Sequence, residues 1–109
     1  MRIEALPIDP PDGNFCFAFR LTNDSDQPIL EVHVDSVHYE WGDSGHSERV
    51  DAHFGPIAPG QSVELMREIQ TEVRTSISLR VVDAAGVRQV SAEFGRLYVS
   101  RGPRLATLE

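Results

Sequence analysis

One run of alternating residues limits what this chain can fold into. Beginning at position 15, the sequence reads Phe-Cys-Phe-Ala-Phe-Arg-Leu-Thr-Asn. Its large apolar residues all share one parity: Phe15, Phe17, Phe19 and Leu21. A period of two predicts a β-strand with one buried face, because successive side chains of a strand point to opposite sides of the sheet. The run is therefore the predicted centre of one sheet and of the core beneath it.

The rest of the chain divides into short apolar segments of the same kind, separated by turn-forming residues. Pro59-Gly60, for example, fits the centre of a type II turn, because proline presets the first φ and glycine accepts the positive φ that follows. The predicted strands cover residues 2–8, 15–23, 29–41, 48–54, 62–69, 76–83 and 87–94, and residues 96–99 are predicted to form a last short strand or an extension. Since no segment has the periodicity of an amphipathic helix, we predict an all-β fold, a two-sheet antiparallel sandwich of about seven to eight strands.

The sequence also predicts irregularities within these strands. The apolar parity changes between Val34 and Val37, which indicates either a β-bulge near Asp35 or the meeting of two strands. We favour the bulge, because no glycine or proline interrupts this segment. Residues 77–94 are predicted to form a hairpin, and Gly95 is predicted to end it.

Three other segments have weaker patterns. Residues 42–45 are predicted to form a loop, and residues 48–54 a short strand at the edge of a sheet. Residues 70–75 are compatible with either a helical turn or extended chain, because no residue there is a convincing helix cap.

The chain is long enough for one hydrophobic core. Its 109 residues correspond to a single domain. We place this domain at residues 1–101 and treat residues 102–109 as a C-terminal tail, whose final Leu108-Glu109 is compatible with the remnant of an expression tag. The predicted core consists of Phe15, Phe17, Phe19, Leu21, Val34, Leu79 and Val81, with Trp41 as a further member.

Three turns and one tryptophan form a further pattern. A polar turn at residues 23–28 follows the second predicted strand, the Pro-Gly turn precedes a middle strand, and residues 83–87 form the last hairpin turn. Trp41 lies in the third predicted strand. In these features the chain resembles immunoglobulin-like and fibronectin-III-like domains. The resemblance implies an immunoglobulin-like sandwich and transfers no functional residue, and with Cys16 as the only cysteine the disulfide of antibody domains cannot form.

The charge of the chain argues against several classes of partner. The net charge is −7, which repels the phosphate backbone of nucleic acid and an anionic membrane surface. All ten basic residues are arginine, as the codon bias of a GC-rich genome explains. No apolar run approaches the roughly 18 residues of a membrane helix. Because no signal peptide is visible, a cytoplasmic location is slightly favoured.

The histidines have no spacing that is typical of a metal site. His33, His38, His46 and His53 lack the short paired spacing of zinc motifs. Imidazoles and carboxylates do gather near one predicted loop, where the candidate metal ligands are Asp43, His46, Glu48, Asp51 and His53. We interpret them as solvated loop residues, and we expect no metal, no cofactor and no catalytic residues.

Other reactive or charged residues have simple structural explanations. Cys16 is expected to be buried, and Asp24, Asp26 and Asp83 to satisfy backbone groups in turns. Glu40 with Asp43 lacks the concave surroundings that acid–base catalysis needs. Three arginines could form a stripe across the last sheet, but we interpret them as partners of the many carboxylates: Arg74, Arg80 and Arg88.

These patterns favour a non-catalytic binding or assembly module. Its partner is expected to be another protein or a second copy of the chain, with His38, Glu40 and Arg80 on an outer sheet face. Free sheet edges are expected at residues 48–54 and 2–8. One alternative is an accessory domain of a larger carbohydrate- or envelope-associated protein, which requires an exposed aromatic platform. The other is a small metal-dependent enzyme.

Overall fold

The computed structural model describes residues 1–8, 15–69, 73–98 and 102–109. Its strands are β1 (Arg2–Ile8), β2 (Phe15–Thr22), β3 (Glu31–Trp41), β4 (Ser44–Phe54), β5 (Ser62–Ile69), β6 (Arg74–Asp83), β7 (Gly86–Arg96), β8 (Arg104–Leu105) and β9 (Thr107–Leu108). One antiparallel sheet has the order β5-β2-β1-β8, and the other has the order β4-β3-β6-β7-β9. The prediction of an all-β, two-sheet sandwich is therefore confirmed. None of the described residues belongs to a helix long and apolar enough to cross a membrane.

The core lies between the two sheets, as the alternating run predicts. Phe19 of β2 is fully buried, and its ring centroid lies 5.4 Å from that of Phe94 in β7. The predicted core residues with described side chains are all buried: Phe17, Phe19, Leu21, Val34, Leu79 and Val81. The side chains of Phe15 and Trp41 lie outside the described part of the structure.

The bulge that the parity change predicts is present in β3. Val34 lies opposite Ala52 of β4, whereas Ser36 lies opposite Arg49, so two β4 residues face Asp35 alone. The register with β6 shifts at the same point. Because a one-residue shift exchanges the two faces of a strand, the bulge keeps apolar side chains in the core on both sides of Asp35.

The predicted hairpin at residues 77–94 is confirmed as β6 and β7, but Gly95 does not end it. Gly95 has a φ of 70° and lies opposite Thr75, while Glu93 lies opposite Ser76. The glycine therefore accommodates a second bulge, and β7 continues to Arg96. Of residues 96–99, predicted to form a last short strand or an extension, Arg96 extends β7. Residues 97–98 are not in a strand, and residue 99 lies outside the described part.

The loop predicted at residues 42–45 is shorter than expected. Gly42 has a φ of 56°, and Trp41 pairs with Ser44, so the connection is a two-residue turn at Gly42-Asp43. As a result β4 begins at Ser44 rather than at residue 48. Of the ambiguous residues 70–75, Arg74 and Thr75 belong to β6, Val73 precedes it, and residues 70–72 lie outside the described part.

The C-terminal residues, predicted to be a tail, contribute to both sheets. Leu105 of β8 pairs with Glu4 of β1, and Leu108 of β9 pairs with Ala92 of β7. Because β8 and β9 are almost consecutive, the two sheet edges that they cover lie on the same side of the sandwich. The edges formed by β4 and β5 therefore lie together on the opposite side.

One buried amide ties the turn after β2 to the corner before β5. The Asn23 side chain is fully buried, and its Nδ2 donates to the carbonyl oxygens of Gln27 at 2.8 Å and Ile57 at 2.9 Å. Its Oδ1 accepts from the backbone N–H of Ser25 at 3.1 Å and from the Ser25 hydroxyl at 2.7 Å. The side chain thus satisfies groups from both segments.

Candidate functional site

The bulge in β3 brings together histidines and carboxylates on the outer face of the five-stranded sheet. His33 lies directly opposite His53 of β4 on one side and Arg80 of β6 on the other. Val50 and Asp51 of β4 together face Asp35, one residue more than on β3, and Asp51 has a φ of 54°. A left-handed conformation costs a residue other than glycine roughly 1–2 kcal/mol, although aspartate tolerates it better than most. The bulge thus places the Asp51 carboxylate beside the histidines.

His33 is the most enclosed member of this cluster. Only 12% of its side chain is exposed, and its Nε2 lies 2.6 Å from Oδ1 of Asp51. On the other side of the ring, Nδ1 lies 2.9 Å from Oδ1 of Asp35 and also contacts the Arg80 guanidinium. Arg80 donates to the same Asp35 oxygen at 3.3 Å. These contacts fix the orientation of the His33 ring.

His53 lies more exposed, stacked on His33. The two ring centroids are 4.0 Å apart with an interplanar angle of 10°. The Nδ1 atom of His53 lies 3.3 Å from Oε1 of Glu31, and its Nε2 lies 3.7 Å from Oδ1 of Asp51. Both histidines therefore have a carboxylate beside Nδ1 and direct Nε2 toward Asp51.

The cluster carries more negative than positive charge. Three carboxylates, those of Glu31, Asp35 and Asp51, surround the stacked rings. Arg80 contacts Asp35, and the charge of Arg49 acts on Asp51. The hydrogen bond with His33 lowers the pKa of Asp51 below its ordinary value, so its carboxylate is ionised at neutral pH. A cluster with excess negative charge and an ionised carboxylate favours the binding of a metal cation.

Only part of the candidate metal set from the sequence meets here. Asp51 and His53 belong to the cluster, but His46 precedes His53 by seven residues of extended strand, roughly 20 Å. Glu48 lies opposite Val37, an inward-facing residue, and so points to the other side of the sheet. The grouping of His46 and Glu48 with His53 is therefore wrong. The sequence could not show that His33 of β3 belongs to the cluster, because its position opposite His53 depends on the register between β3 and β4.

The other candidate residues are dispersed. Cys16 is buried, as predicted, and Asp83 accepts a hydrogen bond from the N–H of Ala85 at 2.9 Å, which confirms its turn role. Nδ1 of His38 lies 2.7 Å from the Ser47 hydroxyl on the outer face. Arg80 and Arg88 pair with carboxylates, as expected, at Asp35 and Asp83 respectively. The alternative stripe does not form, because Arg88 lies opposite the inward-facing Val81 and so lies on the other face from Arg80.

A shallow pocket of about 370 Å³ lies at the other end of this outer face. Arginines from three strands line it together with two glutamates: Arg74, Arg96, Arg104, Glu40 and Glu93. Because its lining carries charges of both signs, the pocket has no single charge that identifies a class of ligand.

The open side of the sandwich contains a buried phenol. Tyr39 of β3 donates to Oε2 of Glu48 at 3.4 Å, and the same oxygen lies 3.2 Å from the guanidinium of Arg67 in β5. Burial, followed by the Glu48 charge, raises the pKa of Tyr39 above the ordinary value of 10.0. The contact of Glu48 with Arg67 joins the two neighbouring sheet edges.

This environment predicts a late phenolate step in an alkaline titration. Because the folded chain favours the protonated phenol, stability that is complete below pH 10.0 is lost as the pH rises through the raised pKa of Tyr39. Ultraviolet absorbance should show the step, and Tyr39→Phe should remove it. Glu48→Gln should move it to lower pH. A step at the ordinary pKa that is lost in Tyr39→Phe would contradict the described burial.

Comparison with known proteins identifies no relative: no protein-family model matches the sequence, and no curated protein or solved structure is significantly similar to it.

Proposed function

We propose that the chain is a non-catalytic binding module that associates through the free edge of β4. The observation that carries this proposal is the position of β4 at the end of the five-stranded sheet. Among the described strands, none pairs with its outer side. The N–H and C=O groups along such an edge can pair with a strand of another molecule.

The shape of the sandwich favours β4 over the other edges. Strands β8 and β9 have only two residues each and cover the opposite side, whereas β4 has 11 residues and β5 has eight. Residues 44–49 of β4 are exposed at consecutive positions, so that neither face of this half of the strand is covered. A strand exposed on both faces gains most from a partner that pairs with it and covers it.

The local charge of β4 also permits pairing of two copies. The strand has one arginine, Arg49, against two carboxylates, Glu48 and Asp51, so its own net charge is 1 − 2 = −1. The whole chain carries −7. Repulsion between two copies therefore comes mainly from the rest of the molecule, where salt screens it over a Debye length of ~8 Å at physiological ionic strength.

We therefore expect a dimer whose population increases with salt. Sedimentation velocity at micromolar to millimolar protein, from low to high sodium chloride, measures it. EDTA is included throughout so that metal-bridged association does not contribute. A monomer at every salt and protein concentration would contradict self-association through β4.

A pair of proline variants tests whether β4 forms the contact. Of two neighbouring residues in β4, one directs its N–H group to β3 and the other directs it to the free edge. Proline has no N–H group, so one of His46→Pro and Ser47→Pro removes a hydrogen bond to β3, and the other removes a hydrogen-bond donor from the free edge. The variant that keeps the wild-type thermal midpoint identifies the edge position and should be monomeric. Matched substitutions to alanine should preserve association. A dimer that survives the well-folded proline variant would rule out β4.

The proposal also keeps the immunoglobulin-like assignment. The strand order supports this assignment. In an immunoglobulin-like sandwich, strands A, B and E belong to one sheet and strands C, F and G to the other. Here β1, β2 and β5 correspond to A, B and E, β3, β6 and β7 correspond to C, F and G, and β4 is added beside β3. The carbohydrate-binding alternative has less support, because the large side chains that are exposed in the described part are aliphatic: Leu30, Met66, Val87, Leu105 and Leu108.

A further inference from the structure

We propose that His33, Asp51 and His53 form a binding site for a divalent transition-metal ion, of the class to which Zn²⁺ belongs. Each of the three residues offers one donor atom, and these atoms lie within 4.8 Å of one another. In both histidines Nε2 is the nitrogen that lies near Oδ1 of Asp51. Two imidazoles and one carboxylate are ligands that Zn²⁺ accepts. Three protein ligands leave a fourth position open.

The distances require only small side-chain movements. Bonds of 2.0–2.1 Å to a tetrahedral ion place ligand atoms about 3.4 Å apart. The Asp51 oxygen lies 2.6 Å from His33 and 3.7 Å from His53, on either side of that spacing. His53 and Asp51 are 59% and 57% exposed, so both side chains can rotate, while the enclosed His33 ring stays in place.

The carboxylates beside the Nδ1 atoms provide the second argument. A histidine that binds a metal through Nε2 usually donates its Nδ1–H to a carboxylate, which fixes the tautomer and the ring orientation. Asp35 lies in this position for His33, and Glu31 lies there for His53. Two rings with the same arrangement, both directed at one carboxylate oxygen, are what a metal site requires.

Metal binding requires a defined rearrangement at His33. Without metal, the Arg80 guanidinium can donate to Nδ1, and Nε2–H then donates to Asp51. With metal, the His33 proton lies on Nδ1 and is donated to Asp35, Nε2 binds the ion, and Arg80 retains its contact with Asp35. A divalent ion also reduces the excess negative charge of the three surrounding carboxylates.

The backbone at Asp51 is consistent with this role. The left-handed φ of 54° occurs at one of the two β4 residues that face Asp35, and the carboxylate of this residue lies 2.6 Å from Nε2 of His33. Asparagine tolerates the same conformation. Asp51→Asn therefore removes the charged ligand without requiring a new backbone.

Calorimetric titration of the untagged chain with Zn²⁺, in a buffer that does not bind metal, tests the proposal. We expect saturable binding of one ion per chain. Asp51→Asn and His53→Ala should weaken it by roughly tenfold or more. The matched control is His46→Ala, which removes an exposed histidine from the same strand and should leave the affinity unchanged.

Two further measurements keep the test decisive. Circular dichroism and thermal unfolding in EDTA establish that each variant is folded. Absorbance of the Co²⁺ complex should lack the near-ultraviolet band of a thiolate ligand, because Cys16 is buried elsewhere. No saturable binding, an unchanged affinity in folded Asp51→Asn and His53→Ala, or a loss in His46→Ala equal to theirs would each overturn the proposal, as would a thiolate band.

Discussion

Replacing Phe17 by alanine is expected to lower the free energy of unfolding by roughly 3–5 kcal/mol. Phe17 lies on the core-facing side of β2 and is 2% exposed. Truncation removes most of a buried ring and leaves a cavity between the sheets, which the surrounding strands cannot fill. A domain of this size has a total stability of about 5–15 kcal/mol, so the variant should be partly or wholly unfolded at physiological temperature.

Urea denaturation of the wild-type chain and of the Phe17→Ala variant measures this loss of stability. Met66→Ala is the matched control, because Met66 lies on the neighbouring strand β5 and is 60% exposed. Its effect should remain within about ±0.5 kcal/mol, as for most surface substitutions. Equal losses for Phe17→Ala and Met66→Ala would mean that the core does not lie between these sheets.

Asn23→Asp is expected to destabilise the chain by a similar amount, roughly 3–5 kcal/mol at neutral pH, although it changes one side-chain group. The amide nitrogen of Asn23 donates to the carbonyl oxygens of Gln27 and Ile57. A carboxylate there places negative charge against two carbonyls in a buried site and leaves both acceptors without their donor. The side-chain link between the turn after β2 and the corner before β5 is then lost, and only the backbone bonds between the two segments remain.

The loss should depend on pH in a definite direction. Burial raises the folded-state pKa of the new carboxyl above its unfolded value, so the protonated form is favoured in the folded chain. Stability is then retained below the unfolded pKa and lost as the pH rises through the folded pKa. Urea denaturation at pH 4 and pH 8 should therefore show the larger deficit at pH 8.

Asp26→Asn is the control for this variant, because it makes the reverse change at an exposed position in the same turn. It should leave the stability nearly unchanged. A deficit in Asn23→Asp that is small, or that is larger at pH 4, would contradict the described hydrogen bonds of Asn23.

The architecture could be predicted because core-facing residues alternate with outward-facing residues along each strand, and this alternation is visible in the local sequence. Phe17, Phe19 and Leu21 alternate with smaller residues, and this pattern is sufficient to identify a half-buried strand. The change of parity between Val34 and Val37 likewise revealed the bulge, because a register shift is the way to keep both valines inside. The full length of β4 could not be predicted from the sequence, because its first residues are exposed on both faces and show no alternation of apolar and polar side chains.

The candidate metal cluster could not be predicted, because it depends on register between separate strands. His33 and His53 are 20 positions apart in sequence, and only the pairing of β3 with β4 places them opposite each other. The bulge then adds Asp51 to the same face. Proximity in the sequence instead places His46 near His53, but the two lie on opposite faces of β4, because His46 is opposite the core-facing Tyr39 and His53 is opposite His33.

The most direct test of the central claim, that the free edge of β4 is the binding surface, is amide hydrogen exchange measured residue by residue. In the monomer, alternate amides of residues 44–49 should exchange rapidly, because their N–H groups face solvent rather than β3. When the protein concentration and salt are raised to favour association, these amides should become protected, whereas those of the β5 edge should not change. Rapid exchange of these amides under associating conditions, or new protection confined to β5, would contradict the account.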